Sequence, residues 1–183
     1  MYRTELINGY IKKCGYKKYL EIGVEKGMNF QEIEVEYKVG VDPDPSSKAT
    51  IFKTSDDYFS TLDETFDIIF IDGLHLAEQV VKDIENSLNV LNEGGIIIVH
   101  DCLPDKESTQ LREIQNGDWT GDVWKGWVEL RTKRSDICMK VLDIDWGLGI
   151  IEKGKQKLIK INKELNWNNF CENKKGWMNI ISL

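Results

Sequence analysis

The chain has two histidines, His75 and His100, and both fall within Phe66 to Pro104, which reads FDIIFIDGLHLAEQVVKDIENSLNVLNEGGIIIVHDCLP. Asp72 ends one apolar run and His75 lies just beyond it; His100-Asp101 ends a second apolar run. In an α/β sheet such strand ends lie side by side, where ligands bind. Two carboxylates and an imidazole there, from Asp72, Asp101 and His100, could hold a hard divalent cation whose remaining positions are filled by water. One histidine could instead serve as a general base, because an imidazole pKa near 6.5 suits proton removal at neutral pH. The plain role of an Asp after a strand is to cap the next helix. Two of them beside both histidines favour chemistry.

A second constellation lies earlier in the chain. Glu21-Ile22-Gly23-Val24-Glu25-Lys26-Gly27 reads as a strand running into a glycine turn, where backbone can approach a ligand closely. The spacing is GxxxG rather than the GxGxxG of dinucleotide cradles. Asp42 ends the next apolar run, 19 residues after Gly23, where a carboxylate can accept from both ribose hydroxyls and disfavour a 2′-phosphate. Asp42-Pro43-Asp44-Pro45 also suits a simple capped turn. Together the glycines and the acid point to an adenosine-containing ligand, with Ser55 and Asp56 near the adenine. Trp119, Trp124 and Trp127 either line an acceptor pocket or cover the sheet.

Regular elements must position these groups. TELINGYIKKCG predicts a helix capped by Thr4 and stopped by Gly15. KKYLEIG and YKVGV predict two strands, ATIFK a third, and Ser55 or Asp56 caps a short helix after it. FDIIFID is the fourth strand. In the helix that follows, Val80, Ile84, Leu88 and Leu91 form one apolar stripe. Asn92-Glu93-Gly94-Gly95 ends that helix and launches IIIVH as the fifth strand. ICMKVLDID and GLGIIEKG are a sixth and seventh, pairing as an antiparallel edge hairpin, and the 106–134 segment holds one or two helices. The tail is partly helical, with Ile180, Ile181 and Leu183 docking it. Continuous apolar strands alternating with helices predict a Rossmann-like, doubly wound α/β sheet of seven strands, mostly parallel, in a single domain over 1–183.

Thirty-one acidic against 24 basic residues give a net charge of −7, which argues against a nucleic-acid partner. The four cysteines are widely spaced and form no CxxC pair, so a zinc site or a disulfide framework is not expected. No apolar run approaches about 18 residues, and the first residues lack a signal-peptide core. The expectation is a cytoplasmic protein without a membrane segment.

This ordered set of motifs resembles class I S-adenosylmethionine-dependent methyltransferases, in the branch with the pattern strand-IDGxH…GG-strand-HD found in many small-molecule and sugar O-methyltransferases. YLEIGVEKG is similar to that branch's first motif and VGVDP to its second. FDIIFIDGLHLAEQVVKDI with GGIIIVHDC is similar to its most specific stretch, and GDVWK and NIIS look like family features. By this resemblance Glu21, Gly23 and Gly27 shape the methionine end of the cofactor site and Asn29 contacts the methionine carboxylate. Asp42 holds the ribose, and Ser55 and Asp56 lie at the adenine. The branch is also similar to magnesium-dependent catechol-type O-methyltransferases, which places Mg2+ at Asp72 and Asp101 and makes His75 the base. Those enzymes carry Asn after the second Asp, whereas this chain reads His100-Asp101-Cys102. The implied function is methyl transfer to a hydroxyl of a small-molecule or sugar acceptor. The chain is short for this class, with little beyond the core sheet to build an acceptor lid, and a homodimer partner supplying one would rescue the enzyme reading. Alternatives are a non-catalytic S-adenosylmethionine-binding or interaction domain and, more remotely, an NAD-linked oxidoreductase.

Overall fold

The computed structural model describes residues 2–114 and 117–182. Seven strands form one sheet: β1 (Lys18–Ile22), β2 (Tyr37–Val41), β3 (Phe66–Ile71), β4 (Leu91–Val99), β5 (Ile137–Leu142), β6 (Leu148–Lys153) and β7 (Ile180–Ile181), in the order β2-β1-β3-β4-β6-β5-β7. The first four run parallel, and β6 is antiparallel to both β4 and β5. The helices are α1 (Arg3–Cys14), α2 (Met28–Glu32), α3 (Ser55–Ser60), α4 (Ala77–Asn89), α5 (Val123–Lys133) and α6 (Trp167–Met178). This is the mostly parallel α/β sheet with an antiparallel hairpin that the sequence predicts.

Burial follows the two faces of the strands. Leu20, Ile69, Ile71, Ile97, Val99 and Ile151 pack under α3, α4, α5 and α6, against Tyr58, Ile84, Trp124 and Phe170. Tyr19, Ile68, Phe70, Ile96, Ile98 and Ile150 face the other way, onto Ile7 and Ile11 of α1 and Phe30 of α2. Residues that alternate along each strand are therefore apolar on both faces, which is why the runs are continuous. Trp124 and Trp127 are fully buried, and the Trp124 ring packs on Phe170 at 4.5 Å with the planes tilted by 41°, so both cover the sheet.

Five local expectations change. The predicted third strand is a single bridge, Val41 to Ile51. Ahead of it Pro43 and Pro45 lack amide hydrogens, and the Thr50 hydroxyl takes the edge groups of Gly40 (N–H 3.0 Å, C=O 3.1 Å) in place of a ladder. The seventh strand comes instead from the tail: Ile180 and Ile181 pair in parallel with Val141 and Leu142, while Leu183 lies outside the described residues. The cap of α3 is Thr54, whose Oγ1 accepts from the Asp57 amide at 3.1 Å, one place before the predicted Ser55. Thr4 sits inside α1 rather than capping it, because the Glu5 carboxylate accepts the Tyr2 amide (3.0 Å) and so places the cap at Tyr2, two residues earlier. Gly94 and Gly95 lie within β4, where the register to β3 shifts after Phe66; a β-carbon on Gly95 would sit 2.6 Å from the Asp67 carbonyl.

On α4 the buried Asp83 interrupts the apolar stripe, and burial pushes its carboxyl up to about 6 despite bonds from Gln79 and Ser55. A folded-state pKa above the unfolded value of about 3.9 means the folded chain binds more protons between those pH values. The resulting destabilisation is absent below about pH 4, grows through that window and is complete above about pH 6. Asp83→Asn should therefore raise unfolding free energy by about 1–2 kcal/mol at pH 7.5 and by nothing at pH 4, read by urea titration at both. An equal gain at both pH values would mean the carboxyl is not raised.

Candidate active site

A cavity of about 970 Å³ opens at the C-terminal ends of β1, β2 and β3, with the first turn of α1 as one wall. Its glycine end is built by the β1–α2 loop. Gly23 has φ +86°, and a β-carbon there would lie 2.1 Å from the Asp72 carbonyl oxygen, so only glycine lets β1 and β3 exit this close together. Gly27, at φ +73°, precedes α2. Asp42 fastens the loop from the next strand: Oδ2 accepts from the amides of Val24 (3.0 Å) and Glu25 (2.9 Å), and Oδ1 from Asp44 (2.9 Å). Oδ2 is thus filled by two amides, and Oδ1 keeps a further lone-pair direction for a ligand hydroxyl.

Beneath the loop Glu21 is buried. Burial pushes its carboxyl up to about 8, although Tyr19 Oη and Asn29 Nδ2 (2.9 Å) both donate to it. Asn29 also accepts from Thr4 Oγ1 at 2.8 Å, so a hydrogen-bonded chain joins α1 to β1 through α2. Asn29 lines the cavity, but its amide nitrogen is committed to Glu21 and Tyr19. Farther along, Ser55 and Asp56 line the cavity from the first turn of α3, where Thr54 rather than either of them makes the cap. Gln79 of α4 donates to both, at 3.2 and 3.0 Å.

The two histidines meet as the sequence predicts, and they do so amid three carboxylates. His100 Nδ1 lies 3.1 Å from Oδ1 of Asp72 and 3.1 Å from Oδ1 of Asp101; its Nε2 is 3.5 Å from Asp145. His75 Nε2 is 3.3 Å from Asp72, and Nδ1 is 3.3 Å from Asp101 and 3.1 Å from the Trp119 carbonyl. Trp119 also stacks on the His75 ring at 4.9 Å, placing the first of the three tryptophans beside the cluster. Arg3 completes the group, with Nη1 on Asp72 at 2.7 Å and Nε and Nη2 on Asp145 at 2.9 and 3.0 Å. Burial pulls both imidazoles toward neutrality, but the surrounding carboxylates outweigh it, and His100 in particular is held well above its ordinary pKa. Burial raises and the imidazoles lower the Asp72 carboxyl, leaving it well below the usual range.

Arg3 and Asp145 are functional candidates that motif reading misses. Nothing in the spacing links Arg3 to Asp72. Asp145 was within reach of topology: β6 pairs with β4, Gly149 opposite Val99, so the turn before β6 must sit at the end of β4 beside His100.

The donors for a divalent ion differ from the expected set. Ligand atoms of Asp72, His75 and Asp101 lie within 4.8 Å of one another, so His75 completes the triangle where His100 was expected. His100 Nδ1 instead points between the two aspartates as their donor. Each oxygen of Asp72 and Asp101 already faces Arg3, His75 or His100. As arranged, the residues do not fit a divalent ion, which would have to displace those cations.

A mostly parallel seven-stranded sheet of this order, with a cavity at its strand ends, is the fold shared with solved methyltransferase structures. The comparisons bear out the resemblance to class I S-adenosylmethionine-dependent methyltransferases. The family model described as "Methyltransferase domain" matches residues 39–102, which hold Asp42, His75 and Asp101. A structure from Klebsiella pneumoniae provisionally described as an O-methyltransferase superposes with a TM-score of 0.65 at 15% identity, over 83% of this chain and 80% of that one. An O-methyltransferase from Streptomyces achromogenes involved in tomaymycin synthesis, in complex with S-adenosylmethionine, gives 0.62 at 14% identity, over 83% and 79%. One from Bacillus cereus in complex with S-adenosylhomocysteine gives 0.59 at 14%, over 82% and 80%. At these identities the structural likeness is one of fold. No protein of curated function matches the chain. Among the described residues no helix is long and apolar enough to cross a membrane.

Proposed function

We propose that this chain, as a single domain, transfers a methyl group from S-adenosylmethionine to a hydroxyl of a small-molecule acceptor. One observation carries the reading: a single cavity joins a glycine-walled end, with Gly23, Asp42, Ser55 and Asp56, to an end lined by Asp72 and His75. At about 970 Å³ it has room for cofactor and acceptor together. Gly23 and Gly27 would shape the methionine end with Glu21 and Asn29 beneath, Asp42 would hold the ribose, and Ser55 and Asp56 would meet the adenine. When bound, the cofactor supplies an already activated methyl.

The protein must then hold the acceptor oxygen in line and remove its proton. His75 has Nδ1 against the Trp119 carbonyl, which leaves Nε2 as the nitrogen that exchanges the proton, with Asp72 beside it. Mg2+ at Asp72, His100 and Asp101 is not needed for this reading, and no step passes through one. Tyr2, Met28 and Leu74 are exposed around the mouth, and a second copy of the chain covering them would supply the lid. Four free cysteines suit a reducing, cytoplasmic setting, and the acidic balance suits partners other than nucleic acid.

Titration of S-adenosylmethionine by calorimetry, followed by assay of S-adenosylhomocysteine formation with hydroxyl acceptors, tests the proposal. Absence of binding to the folded protein removes it. Binding without turnover on any acceptor favours a non-catalytic domain, a reading to which the ion-paired state of His75 lends support. Asp42→Asn keeps an oxygen for the Val24 and Glu25 amides but loses the charge that strengthens bonds to ribose hydroxyls. It should weaken cofactor binding about tenfold, and Asp42→Ala more. Unchanged affinity in both would mean the ribose lies elsewhere.

A further inference from the structure

We propose that Arg3 is the resident cation of the acidic cluster: it holds Asp72 in place, takes the charge-balancing position that a divalent ion would fill, and presents its remaining hydrogens to the acceptor oxygen.

Placement of Arg3 is over-determined. Asp145 receives its backbone amide (2.9 Å), its Nε (2.9 Å) and its Nη2 (3.0 Å), a fork-on-carboxylate geometry that only a planar guanidinium can make. Asp145 itself is aimed by a costly turn. Asp145, Trp146 and Gly147 are consecutive left-handed residues, with φ of +47°, +60° and +86°. Left-handed backbone at a non-glycine residue is unfavourable and persists only where the surroundings impose it. The surroundings do so here: the amides of Leu103 and Cys102 bond the carbonyls of Trp146 (2.8 Å) and Gly147 (3.0 Å), locking the turn against the chain that leaves β4. The result is a carboxylate only 6% exposed, placed to grip Arg3.

The grip directs the other end of the guanidinium to Asp72, at 2.7 Å. Arg3, Asp72 and Asp145 all line the cavity. Of the five N–H donors on a guanidinium, three serve Asp145 and Asp72, and two remain for a ligand oxygen. A guanidinium keeps its charge at every working pH, so it can stabilise an oxygen that becomes anionic as its proton leaves. A hydrated Mg2+ entering here would have to shed water and break the Arg3–Asp72 contact, which favours exclusion.

The test does not depend on methyl transfer. Free Mn2+ is measured by electron paramagnetic resonance during titration of wild type, Arg3→Gln and Arg3→Lys, with thermal melts as the check on folding. Expected is no saturable binding to wild type below millimolar Mn2+, at least tenfold tighter binding by Arg3→Gln, and an intermediate gain for Arg3→Lys, which keeps charge but loses the fork. Micromolar binding by wild type that Asp72→Asn abolishes would overturn the proposal, as would a folded Arg3→Gln with no gain. If Arg3→Gln does not fold, wild type and Arg3→Lys decide the matter by the same criteria. Where methyl transfer is detected, wild-type turnover should survive chelator and fall in Arg3→Gln without a matching loss of cofactor affinity.

Discussion

Gly23→Ala is expected to abolish measurable cofactor binding and to lower the unfolding free energy by about 3 kcal/mol or more. Two independent costs act at this position. Its φ of +86° is one that side chains rarely adopt, and an added β-carbon would meet Asp72 O at 2.1 Å, Asp72 C at 2.5 Å and Gly73 Cα at 2.6 Å. All three obstacles are backbone, so no rotamer relieves the clash. Relief requires separating the exits of β1 and β3, yet the Gly23 amide bonds the Val41 carbonyl (2.9 Å) and the Asp72 amide bonds that of Ile22 (2.8 Å). Moving Asp72 also pulls on His75, His100 and Arg3, so a single methyl disturbs both ends of the cavity. Gly9→Ala is the matched control: it lies within α1 with nothing within 4 Å and should gain roughly 0.5–1 kcal/mol. Calorimetric titration and melting of the two variants decide; cofactor affinity unchanged in Gly23→Ala would sink the assignment of this loop.

The contrast between those glycines shows where sequence reading works and where it stops. From Phe66 to Val99 the chain encodes its own structure, because apolar strands on either side of an amphipathic helix leave one arrangement that buries all three. The strand ends then follow, and with them the meeting of His75, His100, Asp72 and Asp101. The ATIFK segment misleads because its apolar residues suggest a strand, while the competing hydroxyl of Thr50 and the preceding prolines act through geometry rather than composition. Ile180 and Ile181 mislead in the opposite direction, since two residues are too few to show a period. Arg3 is invisible for a different reason, and Asp145 is reachable only through topology: their roles arise from contacts across 142 positions of chain, created only when β6 folds back beside β4 and α1 closes the cavity. Local pattern reports the scaffold and the residues at its strand ends. The counter-charges come from wherever tertiary structure brings them.

Those counter-charges bear directly on the base. His75→Ala is expected to reduce turnover by about 10²–10⁴-fold, the usual contribution of a positioned general base, while cofactor affinity stays within a few-fold. The separation follows from the architecture: the cofactor end is built by β1, α2 and the Asp42 carboxylate, whereas the imidazole's partners are Asp72, Asp101 and Trp119. His75 is held from the opposite side, by the Trp119 ring and carbonyl and by Gly121, where a β-carbon would lie 1.9 Å from the His75 carbonyl oxygen. Gly121→Ala should therefore reproduce much of the turnover loss with the imidazole present but displaced, again with cofactor binding retained. Because His75→Ala removes a partner from Asp72 and Asp101, a modest fall in melting temperature is expected and must be measured beside the rates. Loss of cofactor binding in a folded His75→Ala would make the residue structural, and undiminished turnover would place the base elsewhere. Turnover lost in both variants, with cofactor still bound, is the outcome that fits an imidazole acting as base from a position the 119–121 segment sets.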